Sequence, residues 1–233
     1  VEPVPDDVYK AIKAGEISET RYKKKDDTVI QKLVSLGWET KEANKIRQVY
    51  RGNMFLDNTR GVVHINEVID LVLDGFEQVM EGGPLAREPC VKLLVKLHDT
   101  KLHEDSIHRG PAQVLPAVRE GLREAIVDGR AVIFEPVQVI QFEAPVDFMG
   151  ELSKLIANKR GQLLNMVQEG IHVVVEAKMP VAEMIGLSST LRSATEGRGT
   201  FFVVDQTFEK LPSELQPKII QQIRQRKGLG ENA

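Results

Sequence analysis

Five side chains capable of acid–base, metal or anion chemistry crowd into one stretch, Leu102-His103-Glu104-Asp105-Ser106-Ile107-His108-Arg109-Gly110-Pro111-Ala112-Gln113. They are His103, Glu104, Asp105, His108 and Arg109. Two chemistries follow from these residue types. Held in a turn, His103, Asp105 and His108 could chelate a divalent metal, as in a metal-dependent hydrolase. The His-Glu-x-x-His zinc helix, however, needs histidines four apart to share one helical face, and here they are five apart. The second chemistry is contact with an anion. Arg109 is a permanent planar cation, and an unmodified His108 is partly charged near neutrality, given a reference pKa of about 6.5. Gly110 permits tight backbone geometry, Pro111 stiffens the exit, and a following helix N-terminus favours phosphate nearby.

The flanking elements must position these groups. Val91, Leu93, Val95 and Leu97 alternate with Lys92, Leu94 and Lys96, which predicts a strand with one dry face. Pro111 or Pro116 opens a helix with Leu115, Val118, Leu122 and Ile126 as its buried stripe. The cluster therefore sits at a strand-to-helix turn between rigid elements, where functional groups concentrate. Upstream, Asp6-Asp7 caps a helix stopped by Gly15, Thr28–Leu36 is a helix ended by Gly37, and Lys41–Tyr50 has Ala43, Ile46 and Tyr50 at helical spacing. Arg51–Asn66 is loop and strand. Asn66 then caps a helix bearing Val68, Leu71, Val72, Phe76 and Val79, terminated by Gly82-Gly83-Pro84.

From Ala131 the texture changes. Strand Ala131–Phe142, helix Pro145–Asn158, strands Gln162–Gln168 and Gly170–Met179, helix Val181–Ala194 and strand Thr200–Phe208 follow in turn. This β-α-β-β-α-β order is the split βαβ pattern, a four-stranded antiparallel sheet with two helices on one face. Such sheets also serve small-molecule-binding modules, although nothing in the sequence names a ligand. A last helix from Pro212 to about Arg226 ends in Arg224-Gln225-Arg226-Lys227, which suits a helix C-terminus.

Composition limits the function classes. Net charge is −3; the part through Glu135 has 20 Lys+Arg against 23 Asp+Glu, the rest 11 against 11. Neither part is a basic domain, so any RNA contact is local, made by a loop or tip. No apolar run approaches the roughly 18–20 residues of a membrane span, and the acidic start is no signal peptide. The single Cys90 excludes an internal disulfide, fits a reducing cytosol and suits a small core position. There is no Gly-x-x-x-x-Gly-Lys-Ser/Thr, Gly-x-Gly-x-x-Gly or Gly-x-Ser-x-Gly, which counts against nucleotide hydrolysis and acyl transfer in this segment. His64 and His172 fall in strand-like segments, as structural histidines do. The Val1 start, without Met, is expected of part of a longer protein.

The run His-x-Asp-x-Ile-His-Arg-Gly-x-x-Gln, His103 to Gln113, resembles the tip of the translation elongation factor 2 family, the ribosomal translocases of archaea and eukaryotes. Gly110-Pro111-Ala112-Gln113 looks archaeal. Gly52-Asn53-Met54 with Asp57, Thr59-Arg60-Gly61, Gly83-Pro84-Leu85, Ala182-Glu183-Met184, Leu191-Arg192-Ser193 and Arg226-Lys227-Gly228-Leu229 extend the resemblance over essentially the whole chain.

The resemblance implies an α+β chain of two domains. Residues 1–134 would be domain IV, like ribosomal protein S5 domain 2, and 135–208 a ferredoxin-like domain V. Residues 209–233 would form a helix packing back on domain IV. It implies diphthamide at His108 and RNA contact through His103, Asp105, His108, Arg109, Gly110 and Gln113, with Arg109 on phosphate and no catalytic or metal-binding residue. The implied partners are tRNA, mRNA, the small-subunit decoding site, the large-subunit factor-binding region, diphthamide-synthesis enzymes and the family's N-terminal domains. Those domains would hold GTP and magnesium; this segment would hold neither, act in the cytoplasm and contact no membrane.

Overall fold

The computed structural model describes residues 1–230. They form two compact units, Val1–Ala131 with the segment from Lys218, and Val132–Pro217. Both are α+β, as the sequence predicts.

The first unit contains β1 (Glu2–Pro3), α1 (Asp6–Lys13), α2 (Asp27–Ser35), α3 (Thr40–Ala43), β2 (Ile46–Tyr50), β3 (Asn53–Asp57), α4 (Ile65–Glu81), β4 (Leu93–Leu97) and α5 (Pro111–Asp128). Its sheet order is β1-β4-β3-β2, with β3 and β4 parallel and joined through α4. Alternate side chains point to opposite faces, and both faces are dry. Met54, Leu56 and Leu94 join Val8, Ile12 and Leu33 beneath α1 and α2. Phe55 and Val95 join Val72, Phe76, Leu122 and Ile126 beneath α4 and α5. The β4 strand thus has two dry faces where the alternation predicts one, because Leu94 and Val95 enter different cores.

Lys41–Tyr50 is not one helix. Helix α3 stops at Ala43 and Ile46–Tyr50 is a strand with four successive buried residues. A strand covered on both sides loses its period-two signature. Arg51 and Gly52, both at positive φ (49° and 75°), turn β2 tightly into β3, where Tyr50 pairs with Asn53. Two helix starts also shift. Asp6 and Asp7 lie inside the first turn of α1 rather than capping it, and α4 begins after His64, with Asn66 inside its first turn. In α5, Pro111 is the opening proline and Pro116 is carried inside. Helices α4 and α5 approach closely at Gly75, where an added Cβ would lie 2.8 Å from Val118 Cγ1.

The second unit contains β5 (Phe134–Pro145), α6 (Met149–Asn158), β6 (Gln162–Glu169), β7 (His172–Pro180), α7 (Leu187–Ala194) and β8 (Thr200–Lys210), with sheet order β6-β7-β5-β8, all antiparallel. This is the split βαβ arrangement. Ile140, Phe142, Ala144, Val173, Val175, Ala177 and Met179 alternate along their strands and pack against Leu152, Leu155 and Ile156 of α6 and Leu187 and Leu191 of α7. Val181–Ala194 is broken: a 3-10 turn covers Val181–Met184, and Gly186 at φ +75° separates it from α7. The unit runs to Pro217, past the Phe208 boundary read from the sequence. Strand β8 continues to Lys210, and the Gln216 side chain bonds Ile133 N and Leu211 O at 2.9 Å each.

The last helix, α8 (Gln216–Arg226), starts four residues after Pro212; 212–215 is a turn. In the first unit, Arg224 donates to Leu85 O (3.1 Å) and Lys227 to Ala86 O (3.1 Å) and Arg87 O (2.8 Å). Among the described residues no helix is long and apolar enough to cross a membrane.

Candidate functional site: a histidine tip

The stretch between β4 and α5 closes on a single 3-10 turn, Ser106–Arg109. Asp105 caps it. Its Oδ1 accepts from Ile107 N (3.0 Å) and its carbonyl accepts from His108 N (3.2 Å). Asp105 N in turn donates to His103 Nδ1 at 3.0 Å, which places the His103 proton on Nε2. The His103 and His108 rings meet edge to face, centroids 4.5 Å apart. His103, Asp105, His108 and Gln113 are exposed, and Ile107 stands out at 76% exposure.

Arg109 supports this turn from inside. It is only 8% exposed, and Nη1 donates to His103 O (2.7 Å) and Glu104 O (2.6 Å) while Nη2 donates to Glu67 Oε2 (2.7 Å). Glu67, in the first turn of α4, also takes His64 Nδ1 on Oε1 at 2.6 Å. The bond from His64, followed by that from Arg109, holds the Glu67 carboxyl below its ordinary pKa. One planar fork thus ties two loop carbonyls to a helix 42 residues earlier in the chain.

Arg109 therefore faces inward rather than standing free for the phosphate contact expected from sequence: Nη1 and Nη2 are taken by the loop carbonyls and Glu67, and Nε is buried without a partner. Gly110 also differs from expectation. At φ −81° and ψ 174° its backbone is one that any residue adopts, and it serves as the N-cap of α5, accepting from Gln113 N at 3.1 Å. The structure groups His103, Asp105 and His108 in the turn, while Gln113 lies in the first turn of α5. Sequence reasoning missed Glu67 and Ile107. The only signal for Glu67 is a carboxylate in a helix first turn, which names no partner.

Two donor atoms of the metal reading, His103 Nδ1 and Asp105 Oδ1, each take a backbone amide. Among the described residues no group of three or more His, Cys, Asp and Glu side chains is placed to hold a metal ion. His64, expected in a strand, is the left-handed N-cap of α4, and His172 is exposed at the start of β7. Cys90 packs against the second core cluster, where burial pushes its thiol up to about 11.

Known families match both units. The family described as Elongation factor G, domain IV matches residues 16–130, and that described as Elongation factor G C-terminus matches residues 132–219. Elongation factor 2 of Nanoarchaeum equitans (strain Kin4-M) is 49% identical over 233 residues, covering 98% of this chain and 31% of that protein. Elongation factor 2 of Thermococcus kodakarensis is 46% identical and that of Pyrococcus abyssi 48%, each over 232 residues, all of this chain and 32% of the relative. The two folds in this order, the first bearing a braced histidine turn, define the domain IV and C-terminal portion of a translation elongation factor. The chain belongs to the elongation factor 2 family. It spans about a third of the length of the curated relatives it matches.

Proposed function

We propose that this chain is the tRNA- and mRNA-facing arm of a GTP-dependent ribosomal translocase of the cytoplasm, with the 103–109 turn as its contact point in the small-subunit decoding site. The observation that carries this reading is the construction of the turn: His108 is exposed on a 3-10 turn whose underside is locked by buried Arg109 to Glu67. A-form RNA is recognised by shape and by 2′-hydroxyl and phosphate contacts across its wide minor groove. A small stiff tip suits that surface, and it reconciles an RNA partner with a net charge of −3.

Diphthamide added to His108 by its synthesis enzymes lengthens the side chain and fixes a positive charge, removing dependence on imidazole protonation. Its acceptor ring is exposed. His103, Asp105 and Gln113 border the contact, and Arg109 positions it. GTP and magnesium belong to the part of the factor outside this chain, which carries no phosphate-binding loop motif. The second unit lies toward the large-subunit factor-binding region and couples the arm to the GTPase.

A photoreactive benzophenone side chain at position 107, in Thermococcus kodakarensis elongation factor 2 carrying this chain in place of its matching segment, tests the placement. Crosslinks on translocating ribosomes are expected in decoding-site RNA or the tRNA anticodon arm. Crosslinks confined to other ribosomal regions would overturn it.

A further inference from the structure

Three arginines stand together on the α4–α5 side of the first unit. Arg119 and Arg123 are one turn apart on α5, and Arg119 Nη1 reaches Gln78 Oε1 of α4 at 3.3 Å. Gly82, one turn beyond Gln78, is crossed by Arg87: a Cβ built on Gly82 would lie 3.8 Å from Arg87 Cδ. Arg87 is held in the left-handed region (φ 51°), and its carbonyl accepts from Lys227 Nζ at 2.8 Å. Among the described residues, none of the three makes an ion pair with a carboxylate. Nearby Glu88 is taken by Lys227 at 2.8 Å. Arg123 Nε is buried without a hydrogen-bond partner.

Several other cations in this unit pair with carboxylates. Arg21 bonds Asp74 and Glu77, and Lys96 bonds Glu2 and Glu42. A like-charged trio with no ion-paired carboxylate is unfavourable in the free protein. Burial, followed by the neighbouring charges of Arg87 and Arg119, lowers the Arg123 pKa from its ordinary value, and Glu120 offsets only part. Such an arrangement becomes favourable when an anion arrives, and planar guanidinium forks fit phosphate oxygens.

We infer that Arg87, Arg119 and Arg123 form a second contact of this chain, a phosphate-backbone clamp for RNA distinct from the histidine tip. Arg119 and Arg123 lie 8 and 12 residues along α5 from Pro111, about 12–18 Å from the helix start that follows the tip at 1.5 Å per residue. A duplex touched by the tip presents further phosphates over that span. The inference rests on the RNA-contact reading, and its test fails separately from it.

The test is binding of the 233-residue chain to a labelled A-form RNA hairpin between 50 and 300 mM salt (roughly, the range in which counterion release is read). For R119Q/R123Q the slope of log K against log salt is expected to fall in magnitude by about 1.4–1.8, at 0.7–0.9 per lost phosphate contact. R119K/R123K keeps the slope with weaker binding, because charge remains and the forks do not. K10Q/K41Q, an equal charge change on exposed lysines, leaves the slope at the wild-type value. A wild-type slope in a folded R119Q/R123Q, an equal loss in K10Q/K41Q, or no hairpin binding by the wild-type chain would each overturn the clamp. So would displacement of the RNA by polyglutamate at equal charge. Position-107 crosslinks are read on ribosomes, so their decoding-site pattern persists or fails independently.

Discussion

Replacing Arg109 with Met should release the tip while leaving the fold intact. The guanidinium makes three charge-assisted bonds, to His103 O, Glu104 O and Glu67 Oε2, at 2.6–2.7 Å. Bonds of this kind net about 1.5–3 kcal/mol each, so three set an upper bound of about 4.5–9 kcal/mol. The bound is not reached. Glu67 is 53% exposed at its side chain, and His103 and Glu104 lie in an exposed segment, so water recovers much of the loss. About 2–4 kcal/mol of local stability remains at stake, and it concerns opening of the turn rather than global unfolding. Amide hydrogen exchange reads it directly at Asp105, Ile107 and His108, whose N–H groups bond within the turn. At 1.4 kcal/mol per tenfold, these amides should exchange about 30- to 700-fold faster in Arg109→Met. Arg109→Lys should fall between, since an ammonium keeps the Glu67 pair but cannot reach both carbonyls. Acceleration below about threefold, or equal acceleration at Phe76 in the core of α4, would refute the role given to Arg109.

Other predictions follow from the same geometry. The Glu67 carboxyl titrates below its ordinary range, so its contribution to the tip is fully present above the unfolded-state pKa and is lost as pH falls through the lowered folded-state value. NMR of the Glu67 carboxyl carbon should show its midpoint rising in His64→Ala and in Arg109→Met; an unmoved midpoint in both refutes the bonding. Gly52→Ala forces an L-residue into φ +75° with Cβ 2.8 Å from Tyr9 Cε2, and should cost about 2–4 kcal/mol in urea unfolding of the first unit. Gly61→Ala, at φ +66° with nothing within 4 Å, should cost only about 1–2 kcal/mol. Phe142→Ala should remove about 3–5 kcal/mol from the second unit, because the ring is fully buried between sheet and helices. The Cys90 thiol, pushed up to about 11, should alkylate at pH 8 about 100-fold more slowly than an ordinary thiol and reach the ordinary rate on unfolding.

The second unit was the more legible in sequence. Its strands bury one face, so Val173, Val175, Ala177 and Met179 keep a period of two, and α6 and α7 keep a helical period. In the first unit the sheet is covered on both sides. Ile46–Tyr50 then shows no alternation, and a chance spacing of Ala43, Ile46 and Tyr50 imitates a helix. What decides the strand is the Arg51-Gly52 turn and pairing with β3. At the site, the apex was legible because Asp105, Ile107 and His108 interact locally. The direction of Arg109 was not, because its partner Glu67 is 42 residues away and reaches it only once α4 has packed. A guanidinium beside an exposed histidine suggests a ligand contact; burial turns it into a strut.

The most direct measurement of the proposed role is reading-frame maintenance by Thermococcus kodakarensis elongation factor 2 carrying this chain in place of its matching segment, produced in a host that can modify His108. His108 is exposed, and its side chain makes no hydrogen bond among those of the turn, so His108→Ala should leave the melting temperature within about 1 °C, as surface substitutions do. Frameshifting during translocation should rise at the same time. Unchanged frameshifting in a correctly folded His108→Ala factor would contradict the assignment of this turn as the contact with the tRNA–mRNA pair.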